Sequence, residues 1–220
     1  MKTVLDFLSD LKKNNNRDWF LQNKKRYDAS RQIFLSEVSS ILHRIQHKDP
    51  NLLDLDPKNT MFRINRDIRF SKDKTPYKTN FASYMAKGGK NSTNAGYYIH
   101  ISDDEFFMGA GVYNPPKEEL KAIRQEILYQ PDKFKSLINS RLKLGFSMHE
   151  DDKLKNGPMD FPKDSPHIEL LKYKHYLLSR DLKKEEVLSE NFSGIVAGYF
   201  ETLVPFTEFL NTAMEYKGNE

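Results

Sequence analysis

The 220-residue sequence predicts an α+β protein: a central antiparallel sheet with helices packed on one face, and long helices at both chain ends. Apolar residues recur at helical spacing near both ends, whereas the middle of the chain alternates around clusters of turn residues. No internal repeat or linker divides the chain, so a single domain spanning 1–220 is expected.

Val4, Phe7, Leu8 and Leu11 predict a short amphipathic helix over 3–12. Asn14-Asn15-Asn16 ends it, and Asn16 is suited to cap a second, long helix. Trp19, Phe20, Tyr27, Phe34, Val38, Ile41, Leu42 and Ile45 form that helix's apolar stripe. It should stop before Asp49-Pro50, because a residue preceding proline is pushed out of the helical region. Residues 61–70 and 80–87 read as strands, and 95–102 with 106–112 as a hairpin around Asp103-Asp104-Glu105. The Gly-rich stretch 87–94 is a loop. Asn114-Pro115-Pro116 opens a helix to about Tyr129, with Asn114 as N-cap, and Pro131 opens another to about Arg141. Residues 144–166 are irregular, with Asp151 and Asp152 as turn chemistry. A short helix near 168–173 and a strand near 175–179 follow. Phe192, Ile195, Val196, Tyr199, Phe200, Leu203, Phe206, Leu210 and Met214 mark a final long helix, kinked at Pro205.

Composition narrows the function. The chain has no cysteine, which removes disulfides, thiolate catalysis and cysteine-ligated metal sites together. Its apolar runs fall well short of the roughly 20 residues of a membrane helix, and its N-terminus lacks the apolar core of a signal peptide. A cytoplasmic protein without a membrane partner is the expectation.

Charge is concentrated in one place. Residues 63–78 hold Arg63, Arg66, Arg69, Lys72, Lys74 and Lys78 against Asp67 and Asp73, six minus two, or +4. The chain as a whole is also +4, 35 basic minus 31 acidic residues, so everything outside this segment sums to zero. Such a segment is the footprint of an anion-binding surface. Read as a strand, it places Arg63, Asn65, Asp67 and Arg69 on one face and Phe62, Ile64, Ile68 and Phe70 on the other. Arg66 then needs a buried partner or a bulge to turn it outward. Arginine suits an anion site because its planar fork engages carboxylate or phosphate oxygens in pairs. Lys74 and Tyr77 follow on a turn set by Pro76. A structural network, with Arg63 and Arg69 bracketing Asp67, accounts for the same residues without a ligand.

The pattern Arg63-x-x-Arg66-Asp67-x-Arg69-Phe70-x-x-x-Lys74-x-x-Tyr77 resembles the signature of the family known as domain of unknown function 2461, found in bacteria and in some fungal proteins. Asn14-Asn15-x-Arg17-x-Trp19-Phe20 and Gly109-x-Gly111-x-Tyr113-x-Pro115 also resemble family features, with Ala110 where glycine is more usual. The resemblance covers the chain and implies no activity.

Gly109 and Gly111 form a second candidate, since small residues ahead of a helix N-terminus bring backbone N–H groups to an anion. Plain sheet packing, making room for Trp19 or Tyr27, explains them as well. His43 and His47 share a helix face but lack a third ligand, so no metal site is assigned. His100, opposite Ile99 and Ile101, either points to the site or is an ordinary exposed residue. Lys87-Gly88-Gly89-Lys90 lacks the spacing of a phosphate loop, and no dinucleotide, zinc-protease or nucleophile-elbow fingerprint is present, which leaves the cofactor undetermined.

The leading expectation is a site for a small phosphorylated or carboxylated ligand, with catalysis in view. Arg63, Arg66 and Arg69 clamp the anion, Asp67 orients an arginine or acts as base, Lys74 neutralises charge and Tyr77 donates a proton. The first alternative is a single-stranded nucleic-acid module using Phe70, Tyr77, Phe81 and Tyr84. The second is a structural or interaction domain in which the cluster locks sheet to helices.

Overall fold

The computed structural model describes residues 1–150 and 152–216; Asp151, read above as turn chemistry, lies outside them. Helix α1 (Lys2–Lys13) buries Val4, Leu5, Phe7, Leu8 and Leu11, the stripe its spacing predicts. Asn16 caps α2 (Arg17–Gln22), its Oδ1 accepting the Trp19 N–H at 2.9 Å. The second helix is not continuous. Asn23 leaves the helical region (φ −103°, ψ 16°), and its side-chain amide donates to the Trp19 carbonyl at 2.9 Å. A short amide side chain that competes for a helix carbonyl favours such a break. Helix α3 (Lys24–Ile45) then buries Phe34, Val38, Ile41, Leu42 and Ile45, and ends ahead of Asp49-Pro50.

Five strands occur among the described residues: β1 (Asn80–Met85), β2 (Gly96–Ser102), β3 (Phe106–Val112), β4 (Ser147–Met148) and β5 (Tyr176–Asp181). They run in the order β1-β2-β3-β5-β4, each neighbouring pair antiparallel. The register aligns Phe81, Ser83 and Met85 with Tyr97, Ile99 and Ile101, then with Met108, Ala110 and Val112, then with Tyr176 and Leu178. All of these are buried, and they form the face on which the helices lie. Asn80, Ala82, Tyr84, Tyr98, His100, Phe107, Gly109, Leu177 and Ser179 share the other face.

The expected strand over 61–70 does not form. Met61 bridges to Ser83 and Asn65 to Tyr77, but the pairing goes no further. Asp67 accepts the Arg69 N–H at 3.3 Å and Asp73 the Thr75 N–H at 2.9 Å, so carboxylates take up donors a ladder would need.

Helices α4 (Lys117–Tyr129) and α5 (Pro131–Leu142) follow the hairpin. Asn114 is not the N-cap: its φ is 51°, its N–H donates to His175 Nδ1 at 2.8 Å, and Pro116 holds the cap position. Short helices α6 (Ile168–Leu171) and α7 (Lys184–Leu188) flank β5. Helix α8 (Phe192–Glu215) closes the fold, with Pro205 inside it. Arg141 Nε donates to the Thr202 carbonyl at 2.8 Å, near where the proline removes a ladder donor. Phe200 of α8 packs on Tyr97 with centroids 5.2 Å apart, and Thr207 Oγ1 lies 2.9 Å from the Tyr97 hydroxyl. That hydroxyl also donates to Asp49 at 2.8 Å, so a buried polar triplet ties α8 and the end of α3 to the sheet.

Candidate functional site

The sheet face turned away from the helices is a cleft of about 730 Å³. Its walls are aromatic: Phe62, Tyr84, Tyr98, Phe107 and Tyr113 line it, and Gly109 contributes to its floor. Lys90 and His149 lie toward one end of the strands, and Glu105 and Asp181 toward the other. Phe62 reaches it because residues 60–62 extend the sheet beyond β1, with Phe62 N–H donating to the Ala82 carbonyl at 3.0 Å. The ring meets Tyr98 edge to face at 6.2 Å.

Lys78 lies over the outer side of the same ring, its Nζ 5.4 Å from the centroid. No carboxylate among the described residues pairs with it, although it is partly withdrawn from water. Desolvation and the neighbouring Arg63 guanidinium hold its ammonium below the ordinary lysine range. Arg63 itself is exposed. The two cations thus disfavour one another beside the Phe62 ring, while Arg63 also helps to lower the Asp67 carboxyl.

The remaining members of the basic segment look inward to their own loop. Arg66 binds Asp73 and Thr75, and its backbone N–H donates to the Pro76 carbonyl at 2.9 Å. Arg69 engages Asp67 with both Nε (3.0 Å) and Nη2 (2.7 Å), and Lys74 donates to the Ile68 carbonyl at 3.0 Å. Backbone N–H groups and arginines together hold the Asp67 and Asp73 carboxyls below the usual carboxylate range, Asp73 down to about 2. Tyr77 is buried, its ring stacked on Phe20 at 4.0 Å, while Asn15 brackets its backbone with bonds of 2.9 and 3.1 Å. The structure therefore sets Lys78 against Phe62, a residue of the cleft wall, leaves Arg63 exposed nearby, and ties Arg66 to Asp73, Arg69 to Asp67 and Lys74 to the Ile68 carbonyl within the loop. Phe70 stands 96% exposed at the tip.

Gly109 and Gly111 are required by backbone approach. A Cβ on Gly109 would lie 2.6 Å from the Leu178 carbonyl oxygen, and one on Gly111 (φ +131°) 1.9 Å from that of Tyr176. They admit β5 and not Trp19 or Tyr27. The Gly111 carbonyl accepts from the Tyr84 hydroxyl at 3.0 Å. Helix α4 presents Glu118 and Glu119 in its first turn, which opposes an anion there.

His100 faces the open side, stacked on Phe107 at 4.7 Å. Burial lowers its pKa, and Glu105 acts against that. Burial also pushes the Tyr98 phenol up to about 12. Sequence reasoning gave no site role to Phe62, Lys78, Lys90 or Tyr98, although it counted Lys78 in the basic segment. The available signal was the alternation of β2, which sets Tyr98 and His100 opposite the core. No group of three or more His, Asp or Glu among the described residues is placed to hold a metal ion, and no helix among them is long and apolar enough to cross a membrane.

Comparison with curated proteins and with solved structures found no match. A family model described as "Conserved hypothetical protein (DUF2461)" matches residues 3–209, and with the match spanning nearly all of the chain, the protein belongs to that family.

Proposed function

We propose that the open-face cleft binds a compact anionic ligand with a planar ring, the ring lying among Phe62, Tyr98 and Phe107 and the anion meeting Lys78 and Arg63. The observation that carries this is Lys78, partly desolvated on the Phe62 ring with no carboxylate to neutralise it. The cleft volume lies within the roughly 300–1,000 Å³ typical of small-molecule sites, and aromatic walls with few polar groups are their usual lining. In this reading Arg66, Asp67, Arg69, Lys74 and Tyr77 support the site by fixing the loop, and Gly109 forms its floor. A second reading, single-stranded nucleic acid, draws on the row of aromatic rings on a solvent-facing sheet.

A thermal-shift series on wild type and Lys78→Gln tests both. The probes are phenylpyruvate, phenyl phosphate, nucleoside monophosphates, inorganic phosphate and oligothymidylate, each at low and high salt. A ligand at a hundred times its Kd adds about 2.7 kcal/mol. At roughly 2–4 °C per kcal/mol, that is a shift of about 5–11 °C. A salt-tolerant shift from one ring-bearing anion, lost in Lys78→Gln, is the expected result. A shift confined to oligothymidylate and erased by salt supports the second reading, and a full shift retained in Lys78→Gln overturns the first.

A further inference from the structure

Tyr98 and His100 lie two residues apart on β2, so both project to the open face. The Tyr98 hydroxyl is 3.2 Å from His100 Nδ1, and Asn80 Nδ2 approaches the same nitrogen at 3.4 Å. With Asn80 Nδ2 and the Tyr98 hydroxyl both turned to Nδ1, the arrangement matches a neutral ring that accepts at Nδ1 and carries its proton on Nε2. Nε2 faces Glu105 Oε2 at 3.9 Å. Phe107 stacks on the imidazole with planes 13° apart and fixes the ring between its partners. The imidazole thus has a phenol within hydrogen-bonding distance of one nitrogen and a carboxylate facing the other from 3.9 Å, and both Tyr98 and Glu105 line the cleft. Packing of the sheet face accounts for the rings, but not for a phenol and a carboxylate set near the two ring nitrogens.

We propose that Tyr98, His100 and Glu105 form a general acid–base relay acting on the ligand held in this cleft, a role that rests on the binding reading above. The cleft fits a carbon acid of the aromatic 2-oxo acid class: a ring for the aromatic walls, a carboxylate for Lys78, and a C–H beside a carbonyl for Tyr98. In the forward step the C–H bond breaks and its proton passes to Tyr98 Oη. The phenolic proton moves to His100 Nδ1, and the electron pair of the broken bond enters the adjoining carbonyl to give an enolate. Glu105 faces the imidazolium so formed. The reverse transfer returns a proton to carbon, so no oxidant, leaving group or further reactant is needed. Burial keeps His100 neutral and able to accept, while the raised phenol keeps Tyr98 protonated between turnovers.

Two measurements test this. Long-range ¹H–¹⁵N spectra of wild type read the His100 tautomer directly: Nδ1 unprotonated is expected, and a proton on Nδ1 overturns the relay. Exchange of the C3 hydrogens of phenylpyruvate in D₂O, followed by proton spectra against a protein-free control, reads the chemistry. Wild type is expected to accelerate exchange, and Tyr98→Phe and His100→Gln to lose about 10²-fold or more of that acceleration. Both variants should keep the phenylpyruvate thermal shift, which Lys78→Gln loses. Binding without acceleration, or acceleration unchanged in Tyr98→Phe, overturns the relay and leaves the binding reading standing. Absence of any phenylpyruvate shift overturns the assigned substrate class, and the relay with it.

Discussion

Tyr77 and Lys78 are adjacent and do opposite work. Tyr77 puts its ring into the core against Phe20, and Lys78 lays its chain along Phe62 at the rim of the cleft. Truncating a buried aromatic of this kind costs about 3 kcal/mol or more. Tyr77→Ala should therefore lower the urea midpoint and drop the melting temperature by roughly 6–12 °C. Lys78→Gln removes a cation that burial and Arg63 already disfavour. Its apo form should melt at the wild-type temperature or above it, while losing the ligand shift. At this scale the sequence marked a basic segment but not which of its side chains pair within the loop. Net charge is additive and visible in a string of letters. Whether Arg69 is spent on Asp67, or Lys78 left without a partner, depends on where the loop folds back.

Periodicity served well wherever one face of an element meets the core. The β2–β3 hairpin, α1, α5 and α8 are where their apolar spacing predicts them, because burial alone selects their register. It failed at Asn23 and over 61–70, where polar side chains outbid the backbone for hydrogen bonds. Such competition leaves no trace in hydropathy. The pairing of β3 with β5 offers a test at this scale. Gly111 sits at positive φ with the Tyr176 carbonyl oxygen 1.9 Å from any added Cβ. Gly111→Ala should destabilise the protein by about 2–3 kcal/mol through backbone strain and separation of the strands. Hydrogen exchange should show the loss first in β3 and β5 amides.

Across the molecule, the buried His175 and the half-buried His100 shape the response to pH. His175 is held below the ordinary histidine range by burial and by His149, and His100 by burial. The unfolded chain takes up these protons more readily, at about pH 6.5, so stability is complete above that value and falls as pH drops below it. Urea melts at pH 7.5 and 5.5 should show the decline, and His175→Gln should flatten it, since an amide oxygen still accepts from Asn114. Salt separates ligand classes on the same scale. One or two phosphate or carboxylate contacts give a shallow salt slope, whereas a polyanion making 6–10 contacts loses roughly 10³–10⁵ in affinity between 50 and 200 mM salt.

Residues 60–62 do more than deliver Phe62 to the cleft. By pairing with β1 through the Phe62–Ala82 and Tyr84–Thr60 bonds they cap an otherwise bare strand edge, while the far edge is the two-residue β4. An uncapped edge is a template for another chain. The cap is continuous with the loop closed by Arg66 and Asp73, whose carboxyl stays ionised down to about pH 2 although it would protonate near pH 3.8 in the unfolded chain. Acidification between pH 3.8 and 2 erodes the stability this carboxylate gives the loop, and below about pH 2 the closure, and with it the tether on the cap, is lost. Self-association should then set in as pH falls toward 2, seen as concentration-dependent light scattering, and a proline at Tyr84 should make it worse by removing the N–H that donates to Thr60.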